Sequence, residues 1–454
     1  MALITKAPRG TADALPGDSC RLAEIEKVAS ETASTYGFGE IRTPVFEHTE
    51  LFDRGVGGTT DVVQKEMYTF DDNSGRSLSL RPEGTAGAAR AFIEHGLFNE
   101  PAPQKFRYGI SCFRYEKPQS GRLREFHQFG VESFGSAHFT AETEVIELAS
   151  RIIGWFGIEA VLRINSIGCR ECRGEYRAAL KEYFAAHTDS LCDTCKGRLE
   201  TNPLRILDCK NPECHELAAG APVILDYLCD DCRAHFEGVK SMLDGLGIKY
   251  EVDPMIVRGL DYYTRTVFEF VRPVLGAQGT VCGGGRYDGL VEELGGPPTP
   301  ACGFGMGLER MLLAAERSGY EFSLPEAPDV FVGYDPSDPA AMTAAARLVS
   351  ELRDSFFYAD FDVCSRSVKA QMKYAGKKGA RFTAVIGGRE LESGEVSVKN
   401  MRTGEQTPVR LDEFCERIFG LISDDLVSSE LSDEVAGELA ERGIDIRPDG
   451  DGKE

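Results

Sequence analysis

The stretch KFRYGISCFRYEKPQSGRLREFHQFGVESFG, residues 105–135, constrains the fold more than any other. Two runs of alternating character flank a polar loop, the pattern of a strand, a turn and a returning strand. Side chains two apart on a strand share a face, so Arg114 and Glu116 point one way, and Phe126, Gln128 and Glu132 point together. Gly130 falls between Gln128 and Glu132 on that face, where a missing side chain leaves room for a ligand against the sheet. Taken singly, this is an antiparallel hairpin with one polar face.

Three further stretches add chemistry to it. RPEGTAG, residues 81–87, brings a carboxylate, Glu83, and a hydroxyl, Thr85. VCGGGRYDGL, residues 281–290, brings a glycine run where backbone can approach a ligand closely, and FGMGLERM brings Arg310 at a helix. RGLDYYTRTVFEF, residues 258–270, opens with a cation, a carboxylate and two phenols and continues as an alternating, half-buried strand.

With 454 residues, the chain has room for two to four domains of about 150 residues each. Residues 1–167 and 246–324 mix strand and helix patterns and form one domain, interrupted by an insertion over 168–245. TAETEVIELASRIIGWF reads as an amphipathic helix and GFGMGLERMLLAAERSG as a closing helix with a glycine stop. After a proline-bearing linker, residues 328–423 alternate strand and helix, the signature of a small α/β domain with a largely parallel sheet. Residues 424–454 read as an acidic tail.

No run of ~20 apolar residues exists, and the first residues lack the basic-then-apolar layout of a secretory signal, so no membrane partner and a cytoplasmic location are expected. The formal charge of −22 argues against a generic nucleic-acid coat, so any such contact must come from local patches. RSVKAQMKYAGKKGAR is one such patch, with six cations and no acid. Its Arg366, Lys369, Lys373 and Lys377 are spaced to share a helix face, which suits a phosphate backbone.

Eight of the fourteen cysteines lie between Cys169 and Cys232. CxxC recurs at Cys169/Cys172, Cys192/Cys195 and Cys229/Cys232, with Cys209 and Cys214 beside them. Without a secretion signal, such thiols fit reduced cysteine or metal ligands better than disulfides, and the spacing suits one or two structural zinc ions.

The ordered set of motifs resembles the class II aminoacyl-tRNA synthetases, and among them the histidyl-tRNA synthetase family. IRTPVFEHTELFDRGVG, with Pro44, is similar to the first class motif; FRYGISCFRYEK through REFHQFGVESFG to the second; GFGMGLERMLL to the third. RGLDYYTRTVFEF and GGGRYDGL are similar to the two histidine signatures. The resemblance covers roughly residues 5–423. It implies an α+β catalytic domain whose six- or seven-stranded antiparallel sheet carries ATP and histidine, a helical insertion, and a C-terminal α/β anticodon-binding domain.

It also implies roles. Arg258 and Arg114 would be the catalytic cations at the α-phosphate. Glu83, Gly84, Thr85 and Gln128 would hold the ammonium of L-histidine, with Arg114 and Arg258 beside its carboxylate. Glu132 and Tyr263 would read the ring nitrogens, with Tyr262 and Tyr287 as walls. Glu116 would accept the adenine amino group, Phe126 would stack on the ring, and Arg310 would cover its other face or reach the phosphates. ATP would come with Mg2+. Gln119, Arg122 and Arg124 would enter the acceptor stem of tRNA(His), and the basic helix would meet the tRNA elsewhere. A homodimer is expected from the first motif. Two other readings stay open: a synthetase-like regulatory subunit of ATP phosphoribosyltransferase, and an α/β nucleotide-binding protein that does not bind tRNA.

Overall fold

The alternation in the hairpin does produce two antiparallel strands, Gln104–Phe113 and Glu125–Phe134, with Gln104 opposite Phe134 and Phe113 opposite Glu125. They sit in an eight-stranded sheet that runs, edge to edge, Gly39–Glu40, Gln104–Phe113, Glu125–Phe134, Ala301–Gly307, Thr280–Arg286, Thr264–Val271, Val161–Ser166 and Tyr250–Val252. The inner strands are antiparallel throughout. The two short outer strands lie parallel to their neighbours, which is why the sheet exceeds the six or seven strands expected.

The computed structural model describes residues 5–57, 60, 62–119, 121–207, 209, 211–256, 260–272 and 279–425. It divides into two units, Met1–Leu324 and Pro325–Glu454. Arg258 and most of the acidic tail lie outside the described residues.

In the first unit, alternate residues of the sheet separate two environments. Phe129, Val131, Phe268, Phe270, Phe304 and Met306 point into one core with apolar residues of the helices Pro16–Thr35, Thr140–Trp155 and Leu308–Arg317. Each such side chain contributes roughly 1.5–3 kcal/mol by leaving water. The opposite face is nearly bare: Gly130, Gly305 and Gly283 lie side by side across three strands, and Glu132, Gly303 and Gly285 form the next row.

This alternation also corrects a boundary. The helix expected over GFGMGLERMLL begins only at Leu308, because Phe304 and Met306 enter the core with a period of two and hold the glycines in the strand Ala301–Gly307. Similarly, the strand in RGLDYYTRTVFEF starts at Thr264, so Tyr262 and Tyr263 stand on the turn that leads into it.

The insertion is helical, with Arg170–Ala185, Asp193–Thr201 and Pro212–Ala218 packed around Tyr176, Leu180, Phe184 and Ile206, while its last helix, Asp230–Gly245, sends Phe236, Val239 and Leu243 into the core of the first unit. Its last helix joins the sheet through a buried ion network. Arg286 Nε donates to Glu142 Oε1 at 2.7 Å, Nη2 binds Glu142 Oε2, and His235 Nε2 lies 2.5 Å from Glu142 Oε1. Glu142 and Arg286 are fully buried. Burial alone would raise the Glu142 pKa, but bonds from Arg286 and His235 outweigh it and lower the value.

The second unit holds a five-stranded sheet in the order Ala359–Phe361, Val330–Tyr334, Phe382–Ile386, Glu395–Asn400, Gln406–Arg410. The first three strands are parallel and the last two antiparallel. That hairpin was not read from the sequence: Val396 and Val398 alternate with exposed Glu395, Ser397 and Lys399, but the run is short and its partner strand carries Pro408 and buries only Val409.

Replacing Arg286 with Met leaves the Glu142 carboxylate buried beside a neutral side chain. Arg286→Met should lower the unfolding free energy by about 3–5 kcal/mol, read from urea denaturation.

Candidate active site

On the bare face of the sheet, two polar side chains lie flat because their neighbours have none. A Cβ on Gly303 would stand 2.1 Å from Glu132 Oε2, and one on Gly305 would stand 1.9 Å from Gln128 Nε2. Only glycine at those positions lets both side chains rest against the next strand. The room at Gly130 serves a different purpose from the one expected. Tyr108 sits directly across the hairpin from it, and a Cβ there would meet the Tyr108 ring at 2.4 Å. That gap is filled by protein.

Glu132 is the hub of one end of this face. Its Oε1 accepts from Thr85 Oγ1 and from the Tyr108 hydroxyl, both at 2.7 Å, and its Oε2 accepts from the Tyr287 hydroxyl. Burial pushes the Glu132 carboxyl up to about 8, although the hydroxyls of Tyr287, Thr85 and Tyr108 pull the other way. Tyr262, Tyr263 and Tyr287 wall the pocket, with ring centroids 4.7 Å apart for the first pair and 5.4 Å for Tyr262 and Tyr287. Glu83 lies at its edge, where its carboxylate accepts from the backbone N–H of Thr85 at 2.7 Å and of Ala86 at 2.8 Å. These bonds cap the helix Thr85–Glu94, which explains the order E-G-T in the sequence. Burial raises the Glu83 pKa against them.

Beyond Gln128 the face opens into a cleft of about 170 Å³ lined by Arg114, Glu116, Arg122, Phe126, Gln128 and Arg310, with Gly283, Gly305 and Gly307 on its floor. Arg114 donates through Nε to the Pro82 carbonyl at 2.9 Å, and its guanidinium carbon lies 5.4 Å from the Phe126 ring centre. Arg310 spans the cleft, donating to the carbonyls of Gly121 at 3.3 Å and Thr280 at 2.9 Å. Its neighbour Glu309 accepts from the His127 backbone at 2.9 Å and lies 2.8 Å from His127 Nδ1, which raises the His127 pKa despite its burial. Gln128 and Glu132 are four residues apart on one strand, so cleft and pocket lie about 13 Å from each other along a continuous floor.

The candidate acceptor-stem residues are spread over different settings. Gln119 and Arg122 exchange backbone hydrogen bonds at 3.0 and 2.9 Å, but the Arg122 side chain turns into the cleft and pairs with Glu116. Arg124 stacks on Tyr115 at 3.7 Å and donates to the Glu116 carbonyl at 3.1 Å. In the second unit, Lys369, Lys373 and Lys377 are exposed on the helix Val368–Lys378, whereas Arg366 precedes it and is paired with Asp362 at 2.7 Å.

Two contributors escaped the reading of the sequence. Tyr108 was not singled out, and only its register opposite Gly130 brings it to Glu132. Arg286, inside GGGRYDGL, supports Tyr287 from behind through Glu142, a partner 144 residues away.

Comparison with known proteins follows this geometry. A family model described as Histidyl-tRNA synthetase matches residues 10–168 and 202–311, and one described as Anticodon binding domain matches 330–420. The chain is 55% identical to the Histidine--tRNA ligase of Caldanaerobacter subterraneus subsp. tengcongensis over 412 residues, 90% of this chain and 98% of that protein. It is 51% identical to the protein of the same name from Acetivibrio thermocellus over 417 residues, 92% and 100% of the two chains. The crystal structure of apo S. aureus histidyl-tRNA synthetase matches with a TM-score of 0.78 at 41% identity, covering 91% of this chain and 100% of that one. By matched motifs and by identity along nearly its whole length, the chain belongs to the histidyl-tRNA synthetase family of class II aminoacyl-tRNA synthetases.

Proposed function

We infer that this protein activates L-histidine with ATP to histidyl-adenylate, releasing pyrophosphate, and then passes the histidine to the 3' end of tRNA(His). The observation that carries this is the continuous glycine floor that joins a cleft of arginines to a pocket of one carboxylate and three tyrosines. The family of the chain supports the same reading. A regulatory role without aminoacylation is not favoured, since the full-length relatives are ligases.

In this reading, Phe126 stacks on adenine and Glu116 accepts its amino group, which takes the place of Arg122 beside that carboxylate. Arg310 covers the nucleotide and Arg114 meets the α-phosphate. The histidine carboxylate oxygen attacks the α-phosphorus as the bond to the bridging oxygen of pyrophosphate breaks. Arg114, preoriented by the Pro82 carbonyl and the Phe126 ring, stabilises the charge that builds on the phosphate oxygens. Arg258 is proposed as the second cation at this phosphate. Magnesium, which the class II family implies, neutralises phosphate oxygens when bound. The cleft fits an ion carried mainly by the triphosphate, because its carboxylates Glu116 and Glu309 already hold Arg122 and His127.

Histidine specificity rests on Glu132. Among the described residues the buried Glu132 carboxyl, raised to about 8, is bonded by hydroxyls alone, and an imidazole N–H or an ammonium of the ligand adds a donor to it. Glu132 and Tyr263 read the two ring nitrogens, while Glu83, Thr85 and Gln128, with Gly84 at the turn, hold the ammonium. Analogues without both nitrogens leave these groups unpaired, which gives discrimination on the order of 10⁴ without an editing domain.

We propose that Gln119 and Arg124 present the polar loop to the acceptor stem and that the lysine face of Val368–Lys378 meets tRNA phosphates. The enzyme works as a cytoplasmic homodimer, a proposal supported by the exposed Val45, Phe46 and Phe70 around the Pro44 motif. The cysteine-rich insertion holds structural zinc.

Purified protein should catalyse histidine-dependent exchange of pyrophosphate into ATP and charge tRNA(His); folded protein that does neither ends this reading. Arg114→Ala should lower the exchange rate by about 10²–10³ with the Tm unchanged within error. Glu132→Gln should abolish measurable histidine binding. The same change tests the pocket's charge. A folded-state pKa above the unfolded value gives stability that is present at low pH and lost as pH rises toward about 8, so the empty parent protein should lose Tm between pH 5 and 8 by more than the Gln variant does. Converting Lys369, Lys373 and Lys377 together to Ala should reduce the slope of log affinity for tRNA against log salt by about 0.7–0.9 per lysine engaged.

A further inference from the structure

The cysteines of the insertion form two separate groups, Cys169/Cys172/Cys229/Cys232 and Cys192/Cys195/Cys209/Cys214, and within each group all four sulfurs lie within 4.8 Å of one another. We propose that each group binds one zinc ion, giving two structural centres with different mechanical duties: an outer one that ties the insertion to the sheet, and an inner one that folds its tip.

Four thiolates around one zinc at 2.3 Å place their sulfurs about 3.8 Å apart. The measured separations bracket that value, at 3.5 Å for Cys169–Cys172, 3.9 Å for Cys169–Cys229 and 3.9 Å for Cys192–Cys209. They are far too long for S–S bonds, and all eight cysteines are free. They are also too crowded for a multi-iron cluster, whose ligand sulfurs surround the cluster rather than a single ion.

The backbone is arranged for thiolates as well. Cys169, Cys192 and Cys229 each occupy the N-cap of a helix, with Cys172, Cys195 and Cys232 in the first turn, and Cys214 sits in the first turn of Pro212–Ala218. The positive end of each helix therefore faces sulfur. Backbone N–H groups point at the sulfurs across each group: Cys229 N–H to Cys172 Sγ at 3.2 Å, and Cys192 N–H to Cys214 Sγ at 3.3 Å. Four thiolates leave no open coordination position, so the ions are structural.

Position separates the duties. The outer group joins the first and last helices of the insertion, next to Gly168, whose carbonyl accepts from Arg265 N–H at 2.9 Å. From the first helix, Arg173 donates to the Tyr263 carbonyl at 3.1 Å. Zinc there braces the turn that carries Tyr262 and Tyr263. The inner group lies entirely between Cys192 and Cys214; its segment reaches the turn through a side chain, Arg205 donating to Asp261 Oδ1 at 2.9 Å, whereas the outer group adjoins the backbone bond between Gly168 and Arg265. The zinc content does not depend on the proposed activation reaction.

The full chain, purified without chelator, should carry two zinc ions by metal analysis, and Cys232→Ser or Cys195→Ser should each remove one. Less than about 0.2 equivalents of zinc in folded protein, or iron in its place, overturns the proposal. Should a variant misfold, cobalt titration of the parent reads the same count: thiolate-to-cobalt absorbance should rise to two equivalents and then stop, and saturation at one overturns it. By hydrogen exchange, Cys232→Ser should deprotect the insertion helices together with the Arg265 amide that bonds Gly168, and Cys195→Ser should deprotect residues near 191–218 while sparing the Arg265 amide. Equal patterns in the two variants overturn the division of duties. Histidine-dependent pyrophosphate exchange on the same preparation keeps the readings apart, because inactive protein with two zinc ions fails the enzymatic reading alone.

Discussion

A single buried carboxylate, Glu132, draws side chains from three separate elements onto one point. Thr85 comes from a helix start, Tyr108 from the facing strand and Tyr287 from the end of the glycine run, and each spends its hydroxyl on this one group. An ionised carboxyl without water is costly, so the surroundings must supply dipoles or the group must stay protonated. Among the described residues they supply three hydroxyls. The carboxylate is therefore held in place by the protein's own side chains before any ligand arrives.

The glycines make that organisation compatible with a sheet. A strand with side chains at 303 and 305 would collide with Glu132 and Gln128 and force them off the floor. The same strand turns Phe304 and Met306 into the core, so one seven-residue element, Ala301–Gly307, both anchors the domain and clears the site. Support behind the site is ionic. Arg286 and Glu142 are wholly buried, and their link fixes the residue next to Tyr287 to the helix behind the sheet. The geometry of the pocket is thus held from two sides by different forces, close packing beneath and a charge pair at the rear.

Much of this was legible in the sequence, and the reasons are local. Strong alternation in 105–135 specified a hairpin, and helical spacing in 140–156 specified a helix that runs from Thr140 to Trp155. The resemblance of ordered motifs named residues that the fold gathers on one face, among them Glu83, Gln128, Glu132, Tyr262, Tyr263 and Tyr287. What could not be read depends on long-range register. Gly130 looked like space for a ligand because Tyr108, its partner across the hairpin, could not be known without counting both strands from the turn. Arg122 was assigned to a loop outside, but its side chain pairs with Glu116 inside the cleft. The hairpin Glu395–Asn400 and Gln406–Arg410 was missed since its alternation rests on two valines in one strand and the other, at the sheet edge, contains Pro408.

One feature of the insertion reaches beyond its own fold. Cys169 and Cys229 are 60 positions apart in the chain, yet their sulfurs are 3.9 Å apart, so the segment between them departs and comes back at nearly the same point, beside the start of the core-packed helix Asp230–Gly245. A segment attached by adjacent ends behaves as a graft on the scaffold. Lengthening, trimming or exchanging it asks no strand to shift, and this gives evolution a place to vary the surface of the enzyme without touching its floor.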